Sequence, residues 1–167
     1  MNNEEKNTYA KNQITVTTLN MLKKHPLEEL TIAQIAAKAQ VSRNTFYRNY
    51  ITKEDIVYQY ATKLLKDFEA EYNDIHKDSS TEFYRCLFQH LSDYKDFYLL
   101  LKERNLFHLV LKSIIALFGD LKKCDNISAY SISYIAYGTY GWIEEWVERG
   151  MQESPEMIAT ILDANRK

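Results

Sequence analysis

Thr31-Ile32-Ala33-Gln34-Ile35-Ala36-Ala37-Lys38-Ala39-Gln40-Val41-Ser42-Arg43-Asn44-Thr45-Phe46-Tyr47-Arg48-Asn49-Tyr50 reads as two short helices meeting at a tight turn. Thr31 and Gln34 have the spacing of a capping box, in which a hydroxyl and an amide side chain satisfy the free N–H groups of a first turn. The apolar stripe Ile32, Ile35, Ala36, Ala39 follows the i, i+3, i+4, i+7 rule, and its small residues let another helix come close. Ser42 is a good N-cap for the segment Arg43 to Asn49. Ile35, Val41, Phe46 and Tyr50 recur at helical spacing and are expected in the core.

Working outward, Ile14, Leu19, Met21 and Leu22 mark one face of a helix from about Thr8 to Lys24. His25-Pro26 ends it, because the residue before a proline is pushed out of the α region. On the other side, Thr52 with Lys53-Glu54-Asp55 opens a long helix, capped by hydroxyl and acidic in its first turn. Its buried face is Ile56, Val57, Tyr60, Leu64 and Phe68, and it reaches about His76. Past a break at Asp78-Ser79-Ser80, helices are expected at about 81–91, 94–103, 105–118 and 128–149. A last one, from Pro155 to Asn165, has Ser154 as cap and an acid in its first turn.

With only four Gly and two Pro in 167 residues, the turn chemistry of hairpins is scarce. The expected class is all-α: an N-terminal three-helix DNA-binding domain with a helix-turn-helix, residues 1–52, joined by the long helix to a C-terminal helical bundle, residues 53–167. Three helices in this order, the third short and rich in groups that bond phosphate or base edges, form a DNA-reading arrangement.

The net charge of −2 conceals a division. Residues 1–50 hold seven Lys/Arg against four Asp/Glu, a net +3, and the remainder holds fourteen against nineteen, a net −5. A basic head suits phosphate, and an acidic body favours one docking orientation. The polar start Met1-Asn2-Asn3-Glu4-Glu5-Lys6 lacks the form of a secretory signal, so a cytoplasmic location is expected. Leu106 to Phe118, interrupted by His108, Lys112 and Ser113, is too short to span a bilayer, so no membrane association is expected. Cys86 and Cys124 stand apart without metal-ligand spacing, and His90 and His108 are isolated on apolar helices. No metal or cofactor is expected. Nor is an enzyme, since P-loop, dinucleotide fingerprint, HExxH and nucleophile elbow are missing from the sequence.

The run Leu30 to Tyr50 followed by Lys53-Glu54 resembles the tetracycline-repressor (TetR) family. Threonine, an Ile-Ala pair, Val-Ser, Thr-Phe-Tyr and Lys-Glu stand at that family's spacing. The resemblance implies a recognition helix in the major groove, with Arg43, Asn44 and Thr45 near base edges, and Thr31, Tyr47 and Lys53 on phosphate. Ser42 and Arg48 complete the expected DNA-binding set. Arg can pair with guanine and Asn with adenine through two hydrogen bonds each. Asn44 departs from the glycine often found there, which alters base preference; Tyr50 and Ile51 depart where Phe and often Pro are usual. A helical interaction protein that keeps the fold without binding DNA would show a neutral third helix, unlike Arg43, Asn44 and Arg48.

In the body, Tyr140-Gly141-Trp142, Trp146, Gly150-Met151 and Ser154-Pro155-Glu156 are similar to a TetR subgroup of low-GC Gram-positive bacteria. The resemblance implies a homodimer on an inverted-repeat operator, with an interface on Tyr134, Gly138, Gly141, Trp142, Trp146, Ile158, Ile161 and Leu162. A repressor controlled by a small molecule is the leading expectation, and a co-activator controlled by a partner protein the alternative. Tyr84, Tyr94, Phe97, Tyr98, Phe107, Phe118, Tyr130 and Tyr137 either line an effector pocket or fill a core.

Overall fold

The computed structural model describes residues 2–75 and 80–164. The expected helix ends at His76 and Asn165, and Asp78 and Ser79 of the expected break, lie outside the described residues; Ser80 is already helical. Among the described residues there are nine α-helices and no strand: α1 (Asn3–Leu22), α2 (Ile32–Lys38), α3 (Arg43–Asn49), α4 (Lys53–Ile75), α5 (Ser80–Asp93), α6 (Lys95–Glu103), α7 (His108–Leu117), α8 (Asn126–Glu148) and α9 (Pro155–Ala164). Single 3₁₀ turns stand at Leu27–Glu29 and Leu121–Lys123. The fold is thus all-α, with the chain divided into two compact units at Ala61 and Thr62. The N-terminal unit takes in about two and a half turns of α4.

In the N-terminal unit α1, α2 and α3 pack on one another. Helix α1 starts five residues earlier than the apolar pattern suggests, because Asn2 and Glu5 form a capping box: Glu5 N–H donates to Asn2 Oδ1 at 2.7 Å and Asn2 N–H to Glu5 Oε2 at 2.9 Å. Ile14, Leu22, Leu27, Ile35, Phe46, Ile56 and Val57 form a core with essentially no solvent exposure. The α2–α3 turn closes through Gln40, whose φ of 56° is left-handed, while the Val41 N–H reaches back to the Ala36 carbonyl at 3.0 Å. A left-handed L-residue costs about 1 kcal/mol that glycine avoids. Gln40→Gly is therefore expected to raise stability by about 1 kcal/mol in urea unfolding, and an unchanged midpoint would count against strain at this turn.

In the C-terminal unit α5 packs along α9, α7 along α8, and α6 against α8 and α5. Its core holds Leu65, Phe88, Leu91, Tyr98, Leu101, Val110 and Ile143. Helix α7 starts at His108, not near 105, because Asn105 turns left-handed at φ 56° and Leu106 N–H bonds back to Leu101. His108 is exposed. Helix α8 starts earlier than expected because Asp125 accepts from the N–H groups of Ile127 and Ser128. The buried part of His90 contacts the rings of Phe68 and Tyr94, and burial holds its imidazole below the ordinary 6.5, against the opposing pull of Glu71, Asp93 and Asp67. The unfolded chain then binds this proton more readily than the folded one, so stability is lost as pH falls below about 6.5. Comparing unfolding midpoints of wild type and His90→Phe from pH 7.5 to 5 is expected to show a shallower loss in the variant.

Candidate nucleic-acid interface and regulatory body

Helix α3 is oriented by two buried aromatic rings. Phe46 and Tyr50 lie within the core at a centroid separation of 5.9 Å. The Tyr50 hydroxyl sits 2.8 Å from Thr15 Oγ1, and Asn49 Nδ2 donates to Asn7 Oδ1 at 3.1 Å, both across to α1. Burial first, then Asp55, pushes the Tyr50 phenol above its ordinary value while the Thr15 bond opposes, so it remains a neutral hydroxyl. With Phe46 inward, the positions at i, i+1, i+4 and i+5 from Arg43 point outward. Those are Arg43, Asn44, Tyr47 and Arg48, all exposed, Tyr47 by 58%. Tyr47 stands edge-on to Phe46 at 5.6 Å. Among the described residues the guanidinium groups of Arg43 and Arg48 have no ion-pair partner. Thr45 is half-buried.

The remaining expected contact residues are engaged within the chain. Ser42 Oγ accepts the Thr45 N–H at 3.0 Å and lies 2.9 Å from Thr45 Oγ1, as an N-cap should. Thr31 and Gln34 exchange the capping-box bonds at 3.2 and 2.8 Å, and both stay exposed. Lys53 is engaged as well. Its ammonium donates to the carbonyls of Leu27 at 2.7 Å, Leu30 at 2.7 Å and Glu28 at 3.3 Å, so its three N–H donors close the 3₁₀ turn between α1 and α2. The physical reason is the carbonyl end of that turn, which has few backbone partners of its own. Lys53→Met is expected to cost about 1.5–3 kcal/mol of stability, as charged hydrogen bonds do. A phosphate contact alone would leave the melting temperature unchanged and lower the salt slope of DNA binding by about one.

The body shows a second exposed surface. On α8, Ile127, Tyr130, Tyr134, Tyr137, Gly138 and Gly141 share one outward stripe, with Tyr134 83% exposed. Met157 and Ile161 add an exposed apolar pair one turn apart on α9. Three expected interface residues are corrected: Trp146, Ile158 and Leu162 are buried in the unit's own core, because they lie on the sides of α8 and α9 turned inward. Trp146 stands edge-on to Phe88 at 5.2 Å and donates from Nε1 to the Glu153 carbonyl. Trp142 is half-buried. Apart from the adjacent residues and backbone of α8 itself, no described atom lies within 4 Å of where a Cβ would stand on Gly138 or Gly141, so packing within the chain gives no reason for glycine. The missed residues Ile127, Tyr130 and Tyr137 lie on the helical stripe through Tyr134, a signal present in the sequence.

Between α4, α5, α7 and α8 lies a cavity of about 290 Å³, walled by Leu65, Phe68, Leu87, Ile114, Ala136 and Ile143 among others. Of the aromatic residues that either line a pocket or fill a core, Tyr84 and Phe118 line this cavity. Phe97, Tyr98 and Phe107 are core, whereas Tyr94, Tyr130 and Tyr137 are exposed.

A short third helix, backed by Phe46 and presenting arginines and an asparagine outward from a positively charged head, defines a helix-turn-helix DNA-binding protein. The model of bacterial regulatory proteins of the tetR family matches residues 14–59, and that of a transcriptional regulator C-terminal region matches residues 78–165. The chain belongs to the TetR family and is a DNA-binding transcriptional regulator. Among curated proteins none matches the chain. No described helix is long and apolar enough to cross a membrane.

Proposed function

We propose that the protein is a homodimeric repressor that binds an inverted-repeat operator and releases it when a small molecule enters the cavity of the C-terminal unit. Arg43 and Asn44 read bases, Thr45 assists them, and Tyr47, Arg48 and Thr31 face phosphate; Ser42 caps the reading helix, and Lys53 holds the turn between α1 and α2. The observation that carries DNA reading is the outward set Arg43, Asn44, Tyr47, Arg48, polar or cationic and opposite a buried Phe46. The dimer forms through Tyr134, Gly138, Gly141, Trp142 and Ile161, joined by Ile127, Tyr130, Tyr137 and Met157. The glycines support this reading, since glycine within a helix costs about 1 kcal/mol against alanine and here only a partner helix gains from it. In place of the sequence-based pocket-or-core choice, the ligand-sized cavity favours a small-molecule effector over a partner protein. Its wall includes Leu65 and Phe68 of α4, the helix that starts at Lys53, so a shift of α4 on ligand binding would alter the separation of the two reading helices. The subgroup likeness of the C-terminal sequence supports the homodimer.

Mobility-shift titration with DNA from the neighbouring gene cluster tests it. Saturable, salt-sensitive binding with a dimer per site is expected. Equal affinity for random DNA would refute sequence-specific regulation.

A further inference from the structure

The chemistry of the cavity wall selects among effectors. None of its lining side chains is a carboxylate, ammonium, guanidinium or imidazole. The charged groups nearby, Glu71, Glu82, Arg85, Asp93 and Glu156, instead line a separate groove that shares only Phe68 with it. The polar side-chain atoms on the cavity wall are the hydroxyls of Tyr84 and Thr139, 3.2 Å apart. Phe118 and Ile135 line the cavity yet are 43% and 47% exposed, so its mouth is apolar as well.

We infer that the effector is an uncharged, mostly hydrocarbon molecule of one or two rings, carrying a single oxygen that bonds to Thr139; this rests on the effector reading above. A charged molecule would leave water without gaining an ion-pair partner, a cost that excludes it. The size follows by proportion: an apolar cavity of about 150 Å³ holds one benzene ring, so 290 Å³ holds about a dozen heavy atoms. The Thr139 hydroxyl has one donor and two acceptor sites, and its bond to Tyr84 uses one of them, so a ligand phenol or carbonyl oxygen can join the pair. The remaining walls, including Phe83, Leu117 and Ile143, offer only dispersion and burial.

Naphthalene, 1-naphthol and 1-naphthoate, titrated calorimetrically into the full-length protein, form the test. Both neutral probes are expected to bind and raise the melting temperature, and 1-naphthoate to bind at least about tenfold more weakly than 1-naphthol. Thr139→Val is expected to weaken 1-naphthol about fivefold and leave naphthalene unchanged. Ala136→Phe, which fills the cavity, is expected to abolish binding of both. The inference is overturned if 1-naphthoate binds as well as 1-naphthol, if neither neutral probe binds the wild type, or if Thr139→Val weakens both neutral probes alike. A mobility shift with operator DNA separates the two readings. If 1-naphthol binds by these rules without weakening DNA binding, the ligand class holds and effector control fails.

Discussion

Tyr134→Glu is expected to convert the protein to monomers and to lower operator affinity by about 10²- to 10⁴-fold. Tyr134 is 83% exposed in the isolated chain, so the substitution leaves the unit's own core intact. In the proposed two-fold dimer the same patch meets itself, so one substitution places two carboxylates in one apolar interface. Neither has a cation to meet on the stripe of Tyr130, Tyr137, Gly138 and Gly141, and burying such charges unpaired is strongly unfavourable. Once the subunits part, binding of the second half-site loses the effective concentration supplied by the first, a factor of about 10²–10⁴. Sedimentation equilibrium and mobility shift check the two halves of the statement. A variant that stays dimeric at micromolar concentration would move the interface elsewhere, whereas one that is monomeric yet binds operator at full strength would separate dimerisation from DNA reading. Gly138→Leu provides a steric counterpart, since its side chain projects into open space in the single chain and meets only a partner.

Arg43→Ala is expected to reduce specific binding by about 30- to 10⁴-fold while leaving binding to random DNA nearly unchanged. A guanidinium bidentate to guanine contributes about 1–3 kcal/mol of discrimination. The proposed dimer makes the contact twice, so about 2–6 kcal/mol is lost, at about 1.4 kcal/mol for each tenfold. Arg43 is exposed, so folding is not at stake, and a melting temperature within a degree or so of wild type is the control. Competition with scrambled operator reads the ratio directly. A uniform loss on all sequences would make Arg43 a phosphate contact, with a salt slope reduced by about one.

Much of the N-terminal architecture was legible because its signals are local. The capping box at Thr31 and the Ser42 N-cap mark the starts of α2 and α3, and the alternation of Phe46 with Arg43 and Tyr47 sets the outward face. Less local features escaped. Gln40 carries no sequence mark of its left-handed turn, which glycine would have announced. Lys53 reads as a lone surface cation in sequence, and its carbonyl partners Leu27, Glu28 and Leu30 lie more than twenty residues away.

The body shows the same division more sharply. Composition and helical periodicity by themselves determined that Tyr134 to Val147 is a helix with apolar residues on more than one side. Which side turns inward is a property of what packs on it: Phe88 and Glu153 hold Trp146 inside, while Tyr134, about three turns away and on another face, is left largely to solvent. The cavity is likewise a gap left where α4, α5, α7 and α8 do not fill the space between them, and no single segment encodes it. Periodicity within one helix is written along the chain and therefore readable; burial and cavities depend on side chains brought together from distant segments, and only the tertiary structure decides them.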